Sequence, residues 1–567
     1  MKTAGIIAEY NPLHQGHIYH IEETRRRTGA DYVVVAMSGD YVQRGEPAIY
    51  HKFLRAQAAL RAGADLVLEL PSVISTASAR EFAMGGVSLL GRLGVVDFLS
   101  FGSECGDVDL LEKVADAFDQ PPAASNRDKN AREPERVACP SKSATAATSD
   151  GCSLGADLSG DGESSEYSAL LQKYIKSGMT YPNARARAME GLGLSPDLCD
   201  VLAAPNDILA AEYLRALGAF PRSEATDRQT STPRKPRTSK MRDMCSPGMR
   251  DMRSPGMRDM RSPSIQPVAI ERVGDAHDEG TCSSGAIRRH IMEGLPIGGL
   301  KSIVPPDVYQ MLSNEPPLFP DHFTGLLNTR LSDLAALPDT SAAGIGMPAT
   351  STPIADMEIS ANSTPIAGIS HRMAAPENTG KPLLGMGHGE PHTMSGMPST
   401  GKEATPGSIR ASHLARILDV SPALANRLLK QSAGFATFTG CIQALKTRGY
   451  TYTRISRALL HIALGITDDD LEMAKSLGYA PYAKVLGFRE SAAPLLRAIK
   501  KKGDIPLITK PAQARRILDP YAYRMFGQSL YHAKLYRMVY HSTYGKNLPS
   551  DEGYHLTAFP SSEPAPL

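Results

Sequence analysis

The sequence lacks any hydrophobic run long enough to cross a membrane. Apolar residues make up 42% of the chain, but nowhere do about 18 of them follow one another without a charge, which is the length that a spanning helix requires. The opening stretch, MKTAGIIAEYNP, also lacks the long apolar segment and small-residue cleavage site of a signal peptide. We therefore expect a protein without membrane contact whose first residues form a strand.

The sequence also lacks paired cysteines. Its seven cysteines are scattered, and none belongs to a CxxC pair. They are Cys105, Cys139, Cys152, Cys199, Cys245, Cys282 and Cys441. A structural zinc site or a disulfide framework needs cysteines at regular spacing. We therefore expect a reduced, cytoplasmic protein with no metal ion held by its side chains.

Net charge is small but unevenly distributed. The whole chain carries a formal charge of only +2, yet residues 408–567 hold 22 Lys and Arg against 11 Asp and Glu. Residues 1–407 hold 40 and 49. A basic carboxyl-terminal part favours a polyanionic partner; a solvated helical surface is the equally weighted alternative.

Three segments have little apolar periodicity, at about 120–165, 222–264 and 336–407. They are rich in Pro, Ser, Thr and Gly, and the second repeats the octad GMRDMRSP. Such segments bury too little apolar surface to offset the entropy lost on ordering. We predict three disordered low-complexity inserts; a basic binding tract is the alternative for the octad.

The segments between these inserts predict an α/β domain and then a helical one. The runs TAGIIAEY, DYVVVAMS, ADLVLELP and VDFLSFGS alternate with helix-compatible stretches, and PVAIERV follows the second insert. Apolar strands that alternate with helices indicate a parallel sheet of about five strands, covered on both faces. From Ser408, apolar residues recur three and four apart, interrupted by one strand-like run, DIPLITK. We assign residues 1–305 to the sheet domain and residues 306–567 to a mostly helical domain.

The stretch EYNPLHQGHIYH, at the end of the first predicted strand, indicates an anion site. In a parallel sheet, ligands bind beyond the carboxyl ends of the strands, and Pro12 helps to end the first strand there. Gly16 lets a ligand approach the backbone. His14 and His17 share one face of a helical turn whose free N–H groups favour an anion. The pattern predicts a phosphate site with two imidazole donors; a pair of structural histidines is the alternative.

NPLHQGH resembles the HxGH signature of the nucleotidylyltransferase superfamily, whose members bind ATP on a Rossmann-like sheet and transfer AMP to an acceptor. A second signature of that superfamily, ISSTxIR, is similar to CSSGAIRRHI at 282–291. The resemblance implies that Ser283 and Ser284 bind phosphate oxygens and that Arg288 holds the β- and γ-phosphates. Gly285 stands where the superfamily usually has Ser or Thr, which puts one hydroxyl contact in doubt.

Longer stretches resemble one group, the tRNA(Met) cytidine acetate ligases. They are residues 38–71, 101–107, 180–188, 204–214 and 445–466, and the similarity covers nearly everything outside the inserts. It implies that acetate attacks the α-phosphate of ATP, giving acetyl-adenylate and pyrophosphate. N4 of the wobble cytidine of elongator tRNA(Met) then attacks the acetyl group. It implies ATP as cofactor, with Mg²⁺ bound through the triphosphate, and no DNA partner.

The resemblance also implies which residues bind ATP. The segment that wraps the triphosphate and ribose consists of Ile7, Ala8, Glu9, Tyr10, Asn11, Pro12, Leu13, His14, Gln15, Gly16, His17, Ile18, Tyr19 and His20. Further contacts come from Gly102, Asn206 and Arg272. Ser38 and Asp40 are candidates to position acetate or assist the amine, and Lys52 and Arg55 are a second option for an anion. For each of these residues a structural role is the alternative.

In the basic part, four residues close together are the predicted RNA contacts: Lys446, Arg448, Arg454 and Arg457. Phosphate contacts from such side chains position RNA, and aromatic rings can stack on an unpaired base. Four tyrosines interleave with basic residues near the carboxyl terminus: Tyr531, Tyr536, Tyr540 and Tyr544. We predict that they form the core face of a helix rather than a stacking surface.

Two other functions stay open at this point. One is a different adenylyltransferase that acts on a small molecule without RNA, which acetate dependence of pyrophosphate exchange would separate from the ligase. The other is a non-catalytic RNA-binding protein with a vestigial nucleotide site. The intact His14 and His17 pair and Arg288 argue against the second.

Overall fold

The computed structural model describes most of the chain outside the predicted inserts. The described residues are 1–119, 165–179, 181–191, 195, 198, 201, 204–219, 265–272, 283–336, 411–430, 434–447, 450–554, 556 and 558–560. The three predicted inserts lie outside the described residues, except for their end residues Ser165 and Ala336. All the described residues belong to one compact unit.

The strands, in chain order, are β1 Thr3–Ala8, β2 Tyr32–Ser38, β3 Tyr41–Val42, β4 Glu46–Pro47, β5 Leu66–Leu70, β6 Phe98–Ser103, β7 Gln266–Glu271, β8 Ala483–Arg489, β9 Leu507–Ile508 and β10 Ala558–Phe559. The first helices are α1 Gln15–Thr28, α2 Lys52–Arg61, α3 Ser72–Ser75, α4 Ala79–Arg92, α5 Val108–Asp119, α6 Ser165–Lys176, α7 Tyr181–Gly191, α8 Pro205–Ala219 and α9 Ser284–Met292. They are followed by α10 Pro306–Asn314, α11 Thr324–Ala336, α12 Pro422–Lys430, α13 Phe438–Leu445, α14 Tyr452–Leu464, α15 Asp468–Ser476, α16 Ala493–Lys502, α17 Ala514–Ile517 and α18 Pro520–Tyr544.

Five strands form a parallel sheet in the order β5-β2-β1-β6-β7. They coincide with the five apolar runs of the sequence, so the predicted Rossmann-like sheet is confirmed. From β1 the chain places β2 and β5 on one side, and then β6 and β7 on the other. Such a reversal of strand order opens a crevice beyond the carboxyl ends of β1 and β6, where ligands bind in open α/β sheets.

Strands from the carboxyl-terminal part extend this sheet. β8 pairs antiparallel with β5, placing Lys484 opposite Glu69, and β9 and β10 pair parallel with β8. β9 lies in the run DIPLITK, where the sequence predicts a strand. The strand β8 was not predicted from the sequence. Its segment AKVLGFR has strand length, but a single short run among helices shows no partner strand until the fold brings β5 beside it.

Alternate residues of β2 face two different hydrophobic cores. Val34 and Ala36 belong to a core that includes residues of α4, α5 and α8. Val33 and Val35 belong to another, built with α1, α2 and α10. The predicted covering of both sheet faces is confirmed, and it explains why these strands are apolar throughout.

A third core joins the carboxyl-terminal helices. It includes Leu327 of α11, Leu459 of α14 and Phe526 of α18, together with Tyr41 of β3 and Ile74 of α3. The mostly helical character of this part is therefore confirmed, and its helices pack on the segments that follow β2 and β5. The domain boundary between residues 305 and 306 stays a prediction. Among the described helices, none combines the length and the apolar character needed to cross a membrane.

Candidate functional site

The loop between β1 and α1 lies at the crevice of the sheet. β1 ends at Ala8 and α1 begins at Gln15, as expected from a break at Asn11 and Pro12. Oδ1 of Asn11 accepts a hydrogen bond from the backbone N–H of Ile49 at 2.9 Å. This bond anchors the loop, so that the first turn of α1 begins beneath the crevice.

His14 and His17 cap α1 reciprocally. The backbone N–H of Gly16 donates to Nδ1 of His14 at 3.1 Å, and the N–H of His14 donates to Nδ1 of His17 at 3.2 Å. Their ring centroids lie 3.9 Å apart, and Tyr10 packs edge-on against His17 with centroids 4.9 Å apart. The two imidazoles are thus held together on the first turn.

These hydrogen bonds and burial together determine the protonation of the pair. Burial, and then the positive charge of Arg272, lowers the pKa of His14 to about 4. Burial and the neighbouring His14, His20 and Arg272 lower the pKa of His17 well below its ordinary value. Both rings are therefore neutral near pH 7. Because Nδ1 accepts a hydrogen bond in each ring, Nε2 carries the proton. The pair presents two Nε2–H donors suited to phosphate oxygens.

The third histidine of the stretch, His20, connects α1 to the sheet. Its Nε2 lies 3.0 Å from Oγ of Ser100, and that hydroxyl lies 2.6 Å from Oγ1 of Thr24. Burial lowers the pKa of His20 to about 4, so this ring is neutral as well. Since Ser100 belongs to β6, these bonds hold the helix across the two strands that border the crevice.

Two glycines lie beside the crevice. A Cβ atom at Gly16 would lie 2.9 Å from Cε1 of His14, so a side chain there would displace the imidazole. At Gly102, in β6, the nearest neighbour of such a Cβ would be Cγ of Arg272 at 3.9 Å. The surroundings of both glycines are compatible with their predicted roles in ATP binding, which stay predictions.

Helix α9 brings the second predicted signature beside the first. Ser283 caps this helix by accepting a hydrogen bond from the N–H of Ala286 at 3.1 Å. Oγ of Ser284 donates to the carbonyl of Pro12 at 2.9 Å, and Nη1 of Arg288 donates to the carbonyl of Asn11 at 2.7 Å. Although about 270 residues separate them in sequence, the two motifs meet at one loop.

Asn206 and Arg272 are brought together by Glu104. Oε1 of Glu104 accepts a hydrogen bond from Nδ2 of Asn206 at 2.5 Å and lies 3.5 Å from Nη1 of Arg272. The charge of Arg272 contributes to the lowered pKa of both His14 and His17, which places this cluster at the border of the histidine pair. Glu104 was not among the predicted site residues, because no local sequence pattern indicates which partners its carboxylate contacts.

Asp207 is a second residue that the sequence analysis missed. Its buried carboxylate accepts hydrogen bonds from Oγ of Ser103 at 2.5 Å and from the N–H groups of Glu104 at 2.8 Å and Cys105 at 3.2 Å. It therefore fixes the turn that follows β6. An aspartate near a helix start is common because the helix dipole favours it, so its position in PNDIL gave no distinctive signal.

Asp40, which follows β2, belongs to a buried charge network that includes Glu69 of β5 and Lys484 of β8. Its Oδ1 accepts a hydrogen bond from the N–H of Lys52 at 2.8 Å, and Nζ of Lys52 lies 2.9 Å from Glu69 and 2.7 Å from Asp551. Lys484 contacts the same two carboxylates. Burial alone would lower the pKa of Lys52, but Asp551, Glu69 and Asp40 outweigh it and raise the pKa. This arrangement supports the structural alternative for Lys52.

Arg55 joins the loops that follow β1 and β2. The residue is fully buried, and its guanidinium donates to the carbonyls of Glu9, Ser38, Gly39 and Tyr50. These bonds favour a structural role over the binding of an external anion. Ser38 is buried too, and its Oγ has no hydrogen-bond partner among the described residues. The catalytic roles of Ser38 and Asp40 stay predictions.

Lys446 and Arg454 belong to a basic surface around Tyr450. Lys446 is exposed just after α13. The guanidinium of Arg454 lies 5.1 Å from the centre of the Tyr450 ring, and that of Arg427 lies 4.7 Å from the same centre. Stacking on one ring holds both guanidinium groups in fixed positions, a property suited to phosphate contacts. Arg427 was not among the predicted contacts.

Arg457 has a different environment on the same helix, α14. Its Nε donates to Oδ2 of Asp419 at 3.0 Å, and the side chain is largely buried. Asp419 also lies 3.5 Å from Nδ1 of His461. Arg448 lies outside the described residues. The RNA roles of all four predicted residues stay predictions; among those described, Lys446 is exposed and Arg454 is partly exposed.

The four tyrosines of α18 pack against other elements. Tyr536 and Tyr540 are buried, and their hydroxyls donate to the carbonyl of Ala48 at 2.7 Å and to Oε2 of Glu315 at 3.1 Å. Tyr544 donates to the carbonyl of Pro317, and Tyr531 accepts from Arg330. The prediction of a helix core face is confirmed.

Within the part of the chain that the structure describes, no group of three or more His, Cys, Asp or Glu side chains is placed to hold a metal ion. The two cysteines described, Cys105 and Cys441, carry free thiols.

The chain is similar to one family model, to named relatives and to a solved structure. A model of the HIGH nucleotidyl transferase family matches residues 1–160 and 404–551. A protein of Acetivibrio thermocellus named tRNA(Met) cytidine acetate ligase is 29% identical over 541 residues, 95% of each chain. A protein of the same name from Thermoanaerobacter sp. (strain X514) is 27% identical over 551 residues, 95% of this chain and 96% of its own. A crystal structure of Thermotoga maritima TmcAL bound with alpha-thio ATP is 22% identical, covers 99% of this chain and 100% of its own, and superposes with a TM-score of 0.64. It has the same fold.

Proposed function

The chain belongs to the HIGH nucleotidyl transferase family, and on that premise we propose that it is an ATP-dependent tRNA(Met) cytidine acetate ligase. It activates acetate as acetyl-adenylate and acetylates N4 of the wobble cytidine of elongator tRNA(Met), forming N4-acetylcytidine. The name shared by relatives over nearly the whole length of the chain supports this choice of substrates. The reaction takes place in the cytoplasm, where ATP and tRNA are available.

The arrangement of His14 and His17 carries the ATP-binding half of this proposal. Two neutral imidazoles with Nε2–H donors cap the start of α1 at the crevice between β1 and β6. The N–H groups of the first helical turn favour an anion there, and Arg288 and Arg272 add positive charge on either side. The residues present therefore fit a triphosphate, and the Thermotoga maritima protein of the same fold was crystallised with alpha-thio ATP.

In the first step, an acetate oxygen attacks the α-phosphorus of ATP. The bond to the bridging oxygen breaks, and pyrophosphate leaves with its electron pair. Negative charge grows on the leaving oxygens, where the Nε2–H groups of His14 and His17 donate hydrogen bonds without changing protonation state. Mg²⁺, when bound through phosphate oxygens, supplies further neutralisation. No covalent bond to the protein forms.

In the second step, N4 of the cytidine attacks the acetyl carbonyl carbon. The bond between that carbon and the adenylate oxygen breaks, AMP leaves with the electron pair of that bond, and the proton lost by the amine passes to water. Lys446 and Arg454 hold the tRNA backbone, because phosphate contacts position RNA without reading its sequence.

Mass spectrometry of the RNA tests the whole proposal. Elongator tRNA(Met) is incubated with the protein, ATP and isotopically labelled acetate, and the nucleosides are then analysed. We expect labelled N4-acetylcytidine at the wobble position that depends on all three reactants. Acetate-dependent pyrophosphate exchange without labelled RNA would indicate an adenylyltransferase that acts on a small molecule. RNA binding without exchange would indicate a non-catalytic binding protein.

A charge-reversal variant tests the RNA half separately. Lys446→Glu/Arg454→Glu should weaken tRNA binding and make the affinity less dependent on salt concentration. Each phosphate contact releases counterions when the tRNA binds, so a variant with fewer contacts releases fewer of them. Pyrophosphate exchange should persist. The matched control is Lys500→Glu/Lys501→Glu, on the exposed carboxyl end of α16. Equal effects of both variants on the salt dependence would contradict the assigned surface, and a parallel loss of exchange would place Lys446 and Arg454 in the ATP site.

A further inference from the structure

The carboxylate of Glu104 occupies an unexpected place for a site that binds a polyanion. It lies at the carboxyl edge of the sheet among residues with predicted ATP contacts, and 19% of its side chain is exposed. A negative charge there repels a triphosphate. The hydrogen bonds of Glu104 indicate what this carboxylate contributes despite the repulsion.

The backbone places Glu104 beside Arg272. Ser103 is paired with Glu271 at the ends of β6 and β7, and the N–H of Arg272 donates to the carbonyl of Ser103 at 3.0 Å. Glu104 and Arg272 are therefore the first residues beyond two neighbouring parallel strands. The stem of Arg272 runs past Gly102, with Cγ 3.9 Å from the position of a Cβ on that glycine.

Glu104 and the start of α8 hold each other in place. Oε2 of Glu104 accepts a hydrogen bond from the N–H of Asp207 at 3.1 Å, and the Asp207 carboxylate accepts one from the N–H of Glu104 at 2.8 Å. The backbone position of Glu104 is thus fixed by one residue of the helix. Its other oxygen, Oε1, contacts Asn206 and Arg272.

We propose that Glu104 is a positioning residue for the nucleotide: its carboxylate fixes Asn206 and Arg272 in the orientation that binds ATP. This inference rests on the proposed ATP-binding function. Asn206 is held firmly, through a bond of 2.5 Å. Arg272, 45% exposed, would otherwise sample many rotamers and lose that freedom on binding. Fixing both groups before ATP arrives removes that entropy cost.

The substitution Glu104→Gln should change the affinity for ATP in a direction that depends on the role of the carboxylate. Glu104→Gln removes the negative charge, and if the carboxylate only repelled ATP, the variant would bind ATP more tightly. If the carboxylate positions Asn206 and Arg272, the variant binds ATP more weakly, by about tenfold for one lost charge-assisted hydrogen bond. A purely structural role would lower the melting temperature and the folded fraction but leave the dissociation constant of the folded protein unchanged.

Calorimetric titration of the full chain with a non-hydrolysable ATP analogue measures this effect. Glu104→Gln is compared in two backgrounds, wild type and Asn206→Ala/Arg272→Ala. We expect the dissociation constant to rise about tenfold in the first background and to stay level or fall in the second, where only repulsion is left. The control is Glu112→Gln, an exposed glutamate of the neighbouring α5.

Two results would overturn the proposal. One is unchanged or tighter binding by Glu104→Gln in the wild-type background. The other is an equal rise in both backgrounds, since a positioning residue acts only through the groups that it positions. The titration needs no acetate and no RNA, so a failure of the ligase activity itself would appear in pyrophosphate exchange and leave this measurement interpretable.

Discussion

The carboxyl edge of the sheet has two halves, which differ in whether their polar side chains are neutral or form buried ion pairs. Beyond β1, β6 and β7, the imidazoles of His14 and His17 are neutral and present N–H donors at the crevice. Where β2 and β5 end and the antiparallel strand β8 begins, Lys52 and Lys484 are buried among carboxylates that neutralise them. The first half keeps its hydrogen-bonding capacity for a ligand, whereas the second uses it within the protein.

This difference teaches that charge alone does not identify a binding site. Buried ions are costly unless paired, so a cluster of opposite charges with little exposure is satisfied by itself. Neutral N–H donors at a helix start can face a crevice at a smaller desolvation cost than unpaired ions. They interact strongly only when a negatively charged ligand binds. We therefore expect the charged half to contribute to folding, and we propose that the neutral half contributes to binding and catalysis.

The largest expected effect comes from breaking the charged half. Asp551→Ala removes a carboxylate that contacts Lys52 at 2.7 Å and Arg537 at 3.1 Å, as well as Lys484. Leaving buried cations without their partner should lower the free energy of unfolding by about 3–5 kcal/mol. Denaturant unfolding measures this loss.

The control for that variant is Asp504→Ala, whose ion pair with Arg92 is partly exposed at 3.4 Å. It should cost less than about 1 kcal/mol. Pyrophosphate exchange per folded molecule should be similar in both variants. If Asp551→Ala stayed as stable as the control but lost exchange, the network would belong to the catalytic site and the comparison would fail.

The next effect concerns the neutral half. His14→Ala or His17→Ala should lower acetate-dependent pyrophosphate exchange by about 10²–10³-fold, the loss expected for one missing transition-state donor. Stability should fall by only about 1 kcal/mol, since each ring also caps α1. The control is His541→Ala, an exposed histidine near the end of α18. Wild-type exchange in both site variants would contradict the assignment of the crevice.

The two halves should also lose stability in different pH ranges. The folded pKa of His20 is about 4, below the usual 6.5, so from pH 6.5 downward the unfolded chain binds a proton that the folded chain does not. Each such histidine lowers the free energy of unfolding by up to about 1.4 kcal/mol per pH unit. Burial alone would raise the pKa of Asp551, but the charges of Lys484 and Lys52 outweigh burial and lower this pKa below its usual 3.8. The contribution of Asp551 to the free energy of unfolding is therefore lost only in stronger acid, as the pH falls below 3.8.

Unfolding measured at pH 7, 6 and 5 checks this difference. His20→Gln, which cannot take up the proton in the unfolded chain, should show a shallower loss of stability than the wild type over that range. Asp551→Asn should leave the slope between pH 7 and 5 unchanged. Equal slopes in the wild type and His20→Gln would mean that His20 is not held neutral in the fold.

The sequence was sufficient to predict the five parallel strands and the place of the crevice. Each strand is an apolar run bounded by polar residues, and His14 and His17 follow the first strand directly, so both signals are local. β8 was missed because a strand of seven residues is defined by its pairing with β5, which no local pattern contains.

Charged residues were the hardest to interpret from the sequence. Lys52 and Arg55 share a helix with apolar neighbours, and the sequence favours neither an anion site nor a structural role. Only the fold brings Asp551 to Lys52 and places four backbone carbonyls around Arg55. Glu104 was missed for the same reason, since its partners Asn206 and Arg272 come from distant segments.

The smallest expected effect comes from adding a donor to the neutral half at Gly285 of α9. A Cβ there would have only Oγ of Ser283 within 4 Å, at 3.9 Å, so Gly285→Ser should fit without strain and stabilise the helix by about 0.5 kcal/mol.

The new hydroxyl of Gly285→Ser would lie beside Ser284 and Arg288, at the loop that carries the histidine pair. If it reaches a phosphate, titration should show about a threefold to tenfold gain in affinity for the ATP analogue, with no gain for AMP. The control is Gly298→Ser, also at an open position, which should change neither affinity. An equal gain for AMP and ATP would place the β- and γ-phosphates away from α9, and the second signature would then lie outside the triphosphate site.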